Sequence, residues 1–168
     1  MPFEERFDEI LRAVESMSLN VLIWGPGPRL KEHFQKREKM RYEIQDRFKY
    51  ADVRFSEDLD GASPALRDLT LPEQELLHLA ACDVCVVLDT SKGAGEEIAH
   101  FVRSPYARKL LILTHEKYKD AGSFPAALRR YGNQLFFNDH EYDACNLVDR
   151  VVNRVAMVAF NKVSGLFF

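Results

Sequence analysis

A chain of 168 residues with 46% hydrophobic and 29% charged residues and a net charge of −3 has the balance of one globular domain, which excludes disordered, fibrous and membrane-embedded classes. Near-neutrality supplies no global field for a nucleic-acid polymer, and apolar runs such as LLIL at 110–113 are too short to cross a bilayer. Three cysteines and an acidic start, MPFEERFDEI, with no apolar signal region predict thiols in a reducing, cytoplasmic compartment.

Residues 4–17 place Phe7, Ile10, Leu11 and Val14 at helical spacing among charged residues, so this segment is expected to be a helix covering something. NVLIW at 20–24 reads as the first buried strand, ended by Gly25-Pro26-Gly27-Pro28. A charged helical stretch follows from Leu30 to Tyr50. Its apolar positions, Phe34, Met40, Ile44 and Phe48, are loosely spaced, which leaves room for a break. ADVRF at 51–55 alternates as a second strand, with Ser56, Glu57 and Asp58 at its end. Asp60 to Thr70 is an irregular connection, and Leu71 to Ala81 is a helix with proline near its first turn.

The stretch from Ala81 to Phe101 organises the rest. Val84 to Leu88 forms a β-branched strand that stops at Asp89, Thr90 and Ser91. Gly93 and Gly95 are expected to let the backbone turn sharply before a helix that begins near Glu96 and Glu97. Lys109 to Thr114 is a fourth strand, Phe124 to Tyr131 a short helix, Gln134 to Phe137 a fifth strand, and about 141–162 a long closing helix. Strands alternating with helices predict a single-domain α/β fold over 1–168. The expected form is a three-layer, doubly wound sandwich of the flavodoxin or Rossmann kind, with about five parallel strands.

In such a fold the carboxyl ends of the strands share one rim, where ligands bind. That rim gathers Gly25, Pro26 and Gly27 after the first strand and Glu57 and Asp58 after the second. Asp89, Ser91 and Gly93 follow the third strand, with Glu97 one turn into its helix, and Thr114, His115, Asn138 and Asp139 complete the edge. Carboxylates, hydroxyls and backbone N–H groups suit a sugar or polar small molecule better than a polyanion. Two readings of Glu97 stand side by side: a helix-start acid favoured by the backbone dipole, or an acid projecting into the crevice. The Gly-Pro turn lacks the third glycine of a dinucleotide fingerprint and the Gly-Lys-Ser/Thr of a phosphate loop, so no cofactor is expected.

Cys82 and Cys85 read as core thiols: three apart in a strand they would face opposite sides. None of the five histidines has a metal-ligand spacing, so no metal is expected. His100 falls near the Glu97 face, where it would orient that carboxylate or simply lie at the surface. Asp89 and Thr114 also fit a phospho-receiver pattern, but the acidic pair after the first strand and the lysine after the fifth are missing.

Four segments together resemble the nucleoside 2-deoxyribosyltransferase-like superfamily, especially its small bacterial nucleosidase and TIR-like members. They are IWGPG at 23–27; Arg41 followed by DVRFSEDL at 52–59; LPEQELLHLAACDVCVVL at 71–88; and the run Ser91, Gly93, Glu97, Ile98, Ala99 and Phe101. The resemblance spans roughly residues 20–115. It implies that Glu97 is the catalytic carboxylate, attacking the anomeric carbon or stabilising an oxocarbenium-like transition state. Asp89 or Glu57 would be the second acid, and Gly25, Pro26, Gly27, Arg41, Glu57, Ser91 and Gly93 would hold the substrate. Where the transferases carry Asp-x-Gly-Thr and a glycine, this chain has Ser-Lys-Gly-Ala and Ala99, which leaves hydrolysis of a nucleotide or NAD beside transfer.

The leading expectation is an N-glycosidase acting on a nucleoside, nucleotide or NAD, without metal, membrane or nucleic-acid polymer as partner. The alternatives are a nucleotide-sensing module that binds without turnover and a TIR-like self-assembling domain. The apolar N-terminal helix and the Gly165-Leu166-Phe167-Phe168 end motivate the last, and homo-oligomerisation stays open.

Overall fold

The computed structural model describes residues 2–60, 63–119 and 132–165. Its core is a sheet of five strands, all parallel, in the order β2-β1-β3-β4-β5. The strands are β1 (Leu19–Trp24), β2 (Ala51–Phe55), β3 (Val84–Leu88), β4 (Leu110–His115) and β5 (Asn133–Phe137). Seven α-helices are described: α1 (Phe3–Glu15), α2 (Lys31–Arg47), α3 (Ser56–Leu59), α4 (Leu71–Ala81), α5 (Lys92–Phe101), α6 (Asp139–Asp143) and α7 (Asn146–Ser164). This is the expected three-layer α/β architecture. The helix expected at 124–131 lies outside the described residues.

Alternation along the strands divides the core into two layers. Val21, Ile23, Val53, Phe55, Val86, Leu88 and Leu113 face one side, where α1, α2 and α7 pack with Met40, Ile44, Val148, Val151 and Val155. Leu22, Trp24, Cys85, Val87 and Ile112 face the other, under Leu79 of α4 and Ala94, Ile98 and Phe101 of α5. Each strand therefore buries both faces, which is why these segments read as near-continuous apolar runs. The helix after β1 and the helix after β3 lie on opposite faces, so the strand order reverses between β1 and β3. Their carboxyl ends are therefore the switch point, where open α/β sheets bind ligands.

Several local expectations are corrected. Helix α5 begins at Lys92, not near Glu96, and takes Gly93 and Gly95 into its first turns. The Ser91 hydroxyl accepts the Ala94 N–H at 3.2 Å, and that cap starts the helix without a sharp glycine turn. The closing helix is two: α6 and α7 are separated at Cys145, whose φ of 67° breaks the run. Residues 56–59 form the short helix α3, where the Asp58 carboxylate accepts the Phe55 N–H at 3.0 Å. Helix α2 runs without a break. Helix α1 buries Val14 and leaves Phe7 and Leu11 58% and 50% exposed, so it covers less than its pattern suggests. Cys82 ends α4 and precedes β3, so the strand alternation rule does not apply to it. Both thiols lie in the same apolar layer, free and buried.

Candidate functional site

The site grows from the end of β1. Gly25 has a φ of +150°, and a Cβ there would sit 3.0 Å from Leu88 Cβ, 3.2 Å from Arg37 Cδ and 3.3 Å from the Leu88 carbonyl. Only glycine lets the β1 turn press against the end of β3 in this way. Gly25→Ala is expected to destabilise by roughly 1–3 kcal/mol through backbone strain and overpacking. A urea midpoint equal to that of wild type would show that the turn relaxes instead.

Under that turn lies Arg37, wholly buried on α2. Its Nη2 donates to the Ile23 carbonyl at 2.9 Å, and its Nη1 donates to the Gly25 and Pro26 carbonyls at 3.0 and 2.9 Å. The same guanidinium forks onto Glu57 at 2.8 and 2.9 Å. It therefore ties α2, the β1 turn and α3 together. Burial pushes the Glu57 carboxyl up, but hydrogen bonds from Arg37, its own backbone and Ser56, with the Arg37 charge, outweigh burial and hold it below its ordinary value. Glu57 is thus a fixed carboxylate whose side chain remains 48% exposed to the crevice.

Glu97 is the opposite case. Its pKa is raised to about 8, first by burial and then by the charges of Glu75 and Glu57, with Arg37 opposing. Its Oε2 is buried with no hydrogen-bond partner. At neutral pH this carboxyl keeps its proton. Other buried polar atoms without a partner are Trp24 Nε1 at the end of β1, Arg37 Nε, Thr90 Oγ1 after β3, Thr114 Oγ1 in β4 and both ring nitrogens of His78 on α4. Buried polar groups are ordinarily satisfied, so these atoms stand out.

The remaining expected residues divide. Asp89 is half-buried at the end of β3, and its N–H reaches the Leu113 carbonyl at 3.2 Å. Pro26 is buried in the β1 turn, while Gly27 faces open space. Ser91 caps α5 and Gly93 is helical, so both shape the crevice through backbone. Arg41 stands apart: its Nη1 reaches Asp58 Oδ2 at 3.2 Å, with the guanidinium 4.2 Å from the centre of the Phe55 ring. The buried arginine of the rim is Arg37, one turn earlier. His100 is exposed and lies edge-on to Phe101. His115 is engaged at both ring nitrogens, by Asp139 at 3.0 Å and by the Lys117 N–H at 3.1 Å.

A groove of about 270 Å³ lies at the other end of the sheet, beside the starts of β3 and β4 and the end of α7. Its lysines brace the fold. Lys109 donates to the carbonyls of Leu79, Ala80 and Cys82 at 3.3, 2.6 and 2.6 Å. Lys162 bridges Ser18 and Asp83 at 2.9–3.1 Å. Among the described residues no cluster of histidine, cysteine and acids could hold a metal ion, and no helix is long and apolar enough to cross a membrane.

No family model and no curated protein matches this chain. The superfamily resemblance therefore rests on the residue motifs alone. A solved structure described as a conserved protein from Enterococcus faecalis V583 is similar with a TM-score of 0.50 at 12% identity, covering 82% of this chain and 99% of that one. At that identity the likeness shows the α/β fold.

Proposed function

We propose that the carboxyl rim between β1 and β3 binds a nucleoside, nucleotide or NAD and breaks its base–ribose bond, with Glu97 as the acid. The observation that carries this reading is the buried, partnerless Oε2 of Glu97 on the helix that follows β3, where burial raises the carboxyl pKa. In a nucleoside or nucleotide, as the C1′–N bond breaks, its electron pair moves to the base, which takes the Glu97 proton at a ring nitrogen; the nicotinamide of NAD leaves as a neutral ring and takes none. The carboxylate left behind faces the oxocarbenium-like sugar and stabilises its charge. Water then adds to C1′, and its proton returns to Glu97, restoring the neutral acid. Glu57, fixed as an anion by Arg37, and Asp89 suit the ribose hydroxyls as acceptors. Hydrolysis is favoured over transfer because Ser-Lys-Gly-Ala, which opens α5, stands where the resembled transferases carry Asp-x-Gly-Thr. A reducing, cytoplasmic setting accords with the three free thiols.

The test is a product screen. Wild type and Glu97→Gln are incubated with NAD and a panel of ribo- and deoxyribonucleosides and their monophosphates, and free base is followed by chromatography. Base release by wild type, slowed about 10²–10⁴-fold in the variant, is the expected result. Folded wild type that releases no base from any member would overturn the reading, and saturable binding without product would put a sensing module in its place.

A further inference from the structure

The groove at the amino end of the sheet carries a pattern that bracing the fold does not explain. Five of its lining residues come from α7: Arg154, Met157, Val158, Asn161 and Lys162. Their successive offsets of three and four residues make one stripe along the helix, beside the stripe of Leu147, Val148, Val151, Val155 and Ala159 that enters the core. Val84 of β3 and Leu111 of β4, both turned toward α7, line the groove from the sheet. Met157 is 53% exposed and Val158 half-buried, so the apolar lining is open to water. Around it stand four cations, Arg108, Lys109, Arg154 and Lys162, and one acid, Asp83, in a chain whose net charge is −3. Lys109 is committed to the α4 carbonyls, and Lys162 to the Ser18 carbonyl and Asp83. Arg154 is exposed and has no hydrogen-bond or ion-pair partner among the described residues.

We propose that this groove is a second binding site, for a small organic acid with an apolar body. The body lies on Val84, Leu111, Met157 and Val158, and the carboxylate pairs with the Arg154 guanidinium, whose parallel N–H groups match a carboxylate in a fork. Small-molecule sites are concave and mostly apolar, with a few polar groups that fix orientation. At about 270 Å³ the groove suits a ligand at the small end of that class. Met157 supplies an unbranched, polarizable side chain that adapts to the shape of what it covers. Because the two lysines are held by carbonyls and Asp83, their charge favours an anion nearby, yet they cannot wrap a polyphosphate. A neutral ligand of the same body forgoes the Arg154 pair, and a cation meets repulsion from the whole rim. The groove lies at the opposite end of the sheet from Glu97, so this site stands or falls independently of the role proposed for that carboxyl.

The test titrates the full chain with octanoate, octanol and octylammonium, which share one apolar body and differ in charge, and follows methyl carbon NMR signals. Octanoate should shift the methyls of Met157, Val84, Leu111 and Val158 to saturation. Octanol should bind at least about tenfold more weakly, the loss of one charge-assisted hydrogen bond, and octylammonium should not bind. Arg154→Gln should weaken octanoate by about the same factor and leave octanol unchanged. Met157→Glu should weaken both, by removing apolar surface and adding a like charge. Both side chains are exposed, so melting temperatures close to wild type should accompany both variants. Equal affinity for the three probes, octanoate binding that survives Arg154→Gln, or shifts confined to the β1–β3 rim would each overturn the proposal. So would a wild-type dimer, seen by light scattering, that Met157→Glu dissociates, because the groove would then belong to a second copy.

Discussion

Arg37→Met is expected to cost the fold about 3–5 kcal/mol, because three backbone carbonyls lose a charged donor at roughly 1–3 kcal/mol each. The guanidinium is wholly buried, and removing it strands the carbonyls of Ile23, Gly25 and Pro26 together with the Glu57 carboxylate. Each stranded acceptor loses its partner without regaining full hydration. The urea midpoint should fall with the slope unchanged, and the melting temperature should drop by roughly ten degrees for a domain of this size. Arg37→Lys keeps the charge but cannot fork onto Glu57 while reaching the turn, so it should fall between the two. Glu57→Gln should cost less than Arg37→Met, because half of the Glu57 side chain already faces water. A melting curve for Arg37→Met within one degree of wild type would show that the clamp is not what holds the β1 turn.

That arginine also explains what the sequence did and did not disclose. The β-branched runs of β1, β3 and β4 announced themselves because strands buried on both faces must be apolar throughout. The sequence leaves room for a break in α2 because its apolar spacing skips from Phe34 to Met40. The missing core position is Arg37, and a charge at a core phase is invisible to a count of apolar residues. The resemblance points instead to Arg41, one turn later, which reaches Asp58. The short helix α3 was not legible, since four residues carry no period and its start depends on the Asp58 side chain folding back to the Phe55 N–H. Conversely, the motif singles out Glu97, but the upward shift of its carboxyl is not legible in the sequence. That property depends on burial and on acids distant in the chain, which only the fold brings together.

Glu97→Gln should lose base release and gain stability in the same molecule. The native pKa of about 8 lies above the ordinary 4.5, so between those values the folded chain holds a proton that the unfolded chain has released. Stability therefore falls as pH rises through that window, by about 1.4 kcal/mol per unit, and the accumulated cost near pH 7 is roughly 3 kcal/mol. Glutamine has the shape of the neutral acid and nothing to ionise. Urea midpoints of wild type and variant should nearly coincide at pH 4.5 and separate in favour of the variant by pH 7.5. Every other titrating group is common to both proteins and cancels to first order in the difference. A separation that does not grow with pH would show that Glu97 ionises at its ordinary value, leaving no proton to deliver at neutrality. A buried acid that weakens the fold at working pH is poor structural material, and stability given up at one position in return for chemistry is a recurrent feature of active sites. The helix-start reading of this glutamate already fails on position, because α5 begins at Lys92 and holds no acid in its first turn; a variant both inactive and more stable would leave chemistry as the reason for the carboxyl.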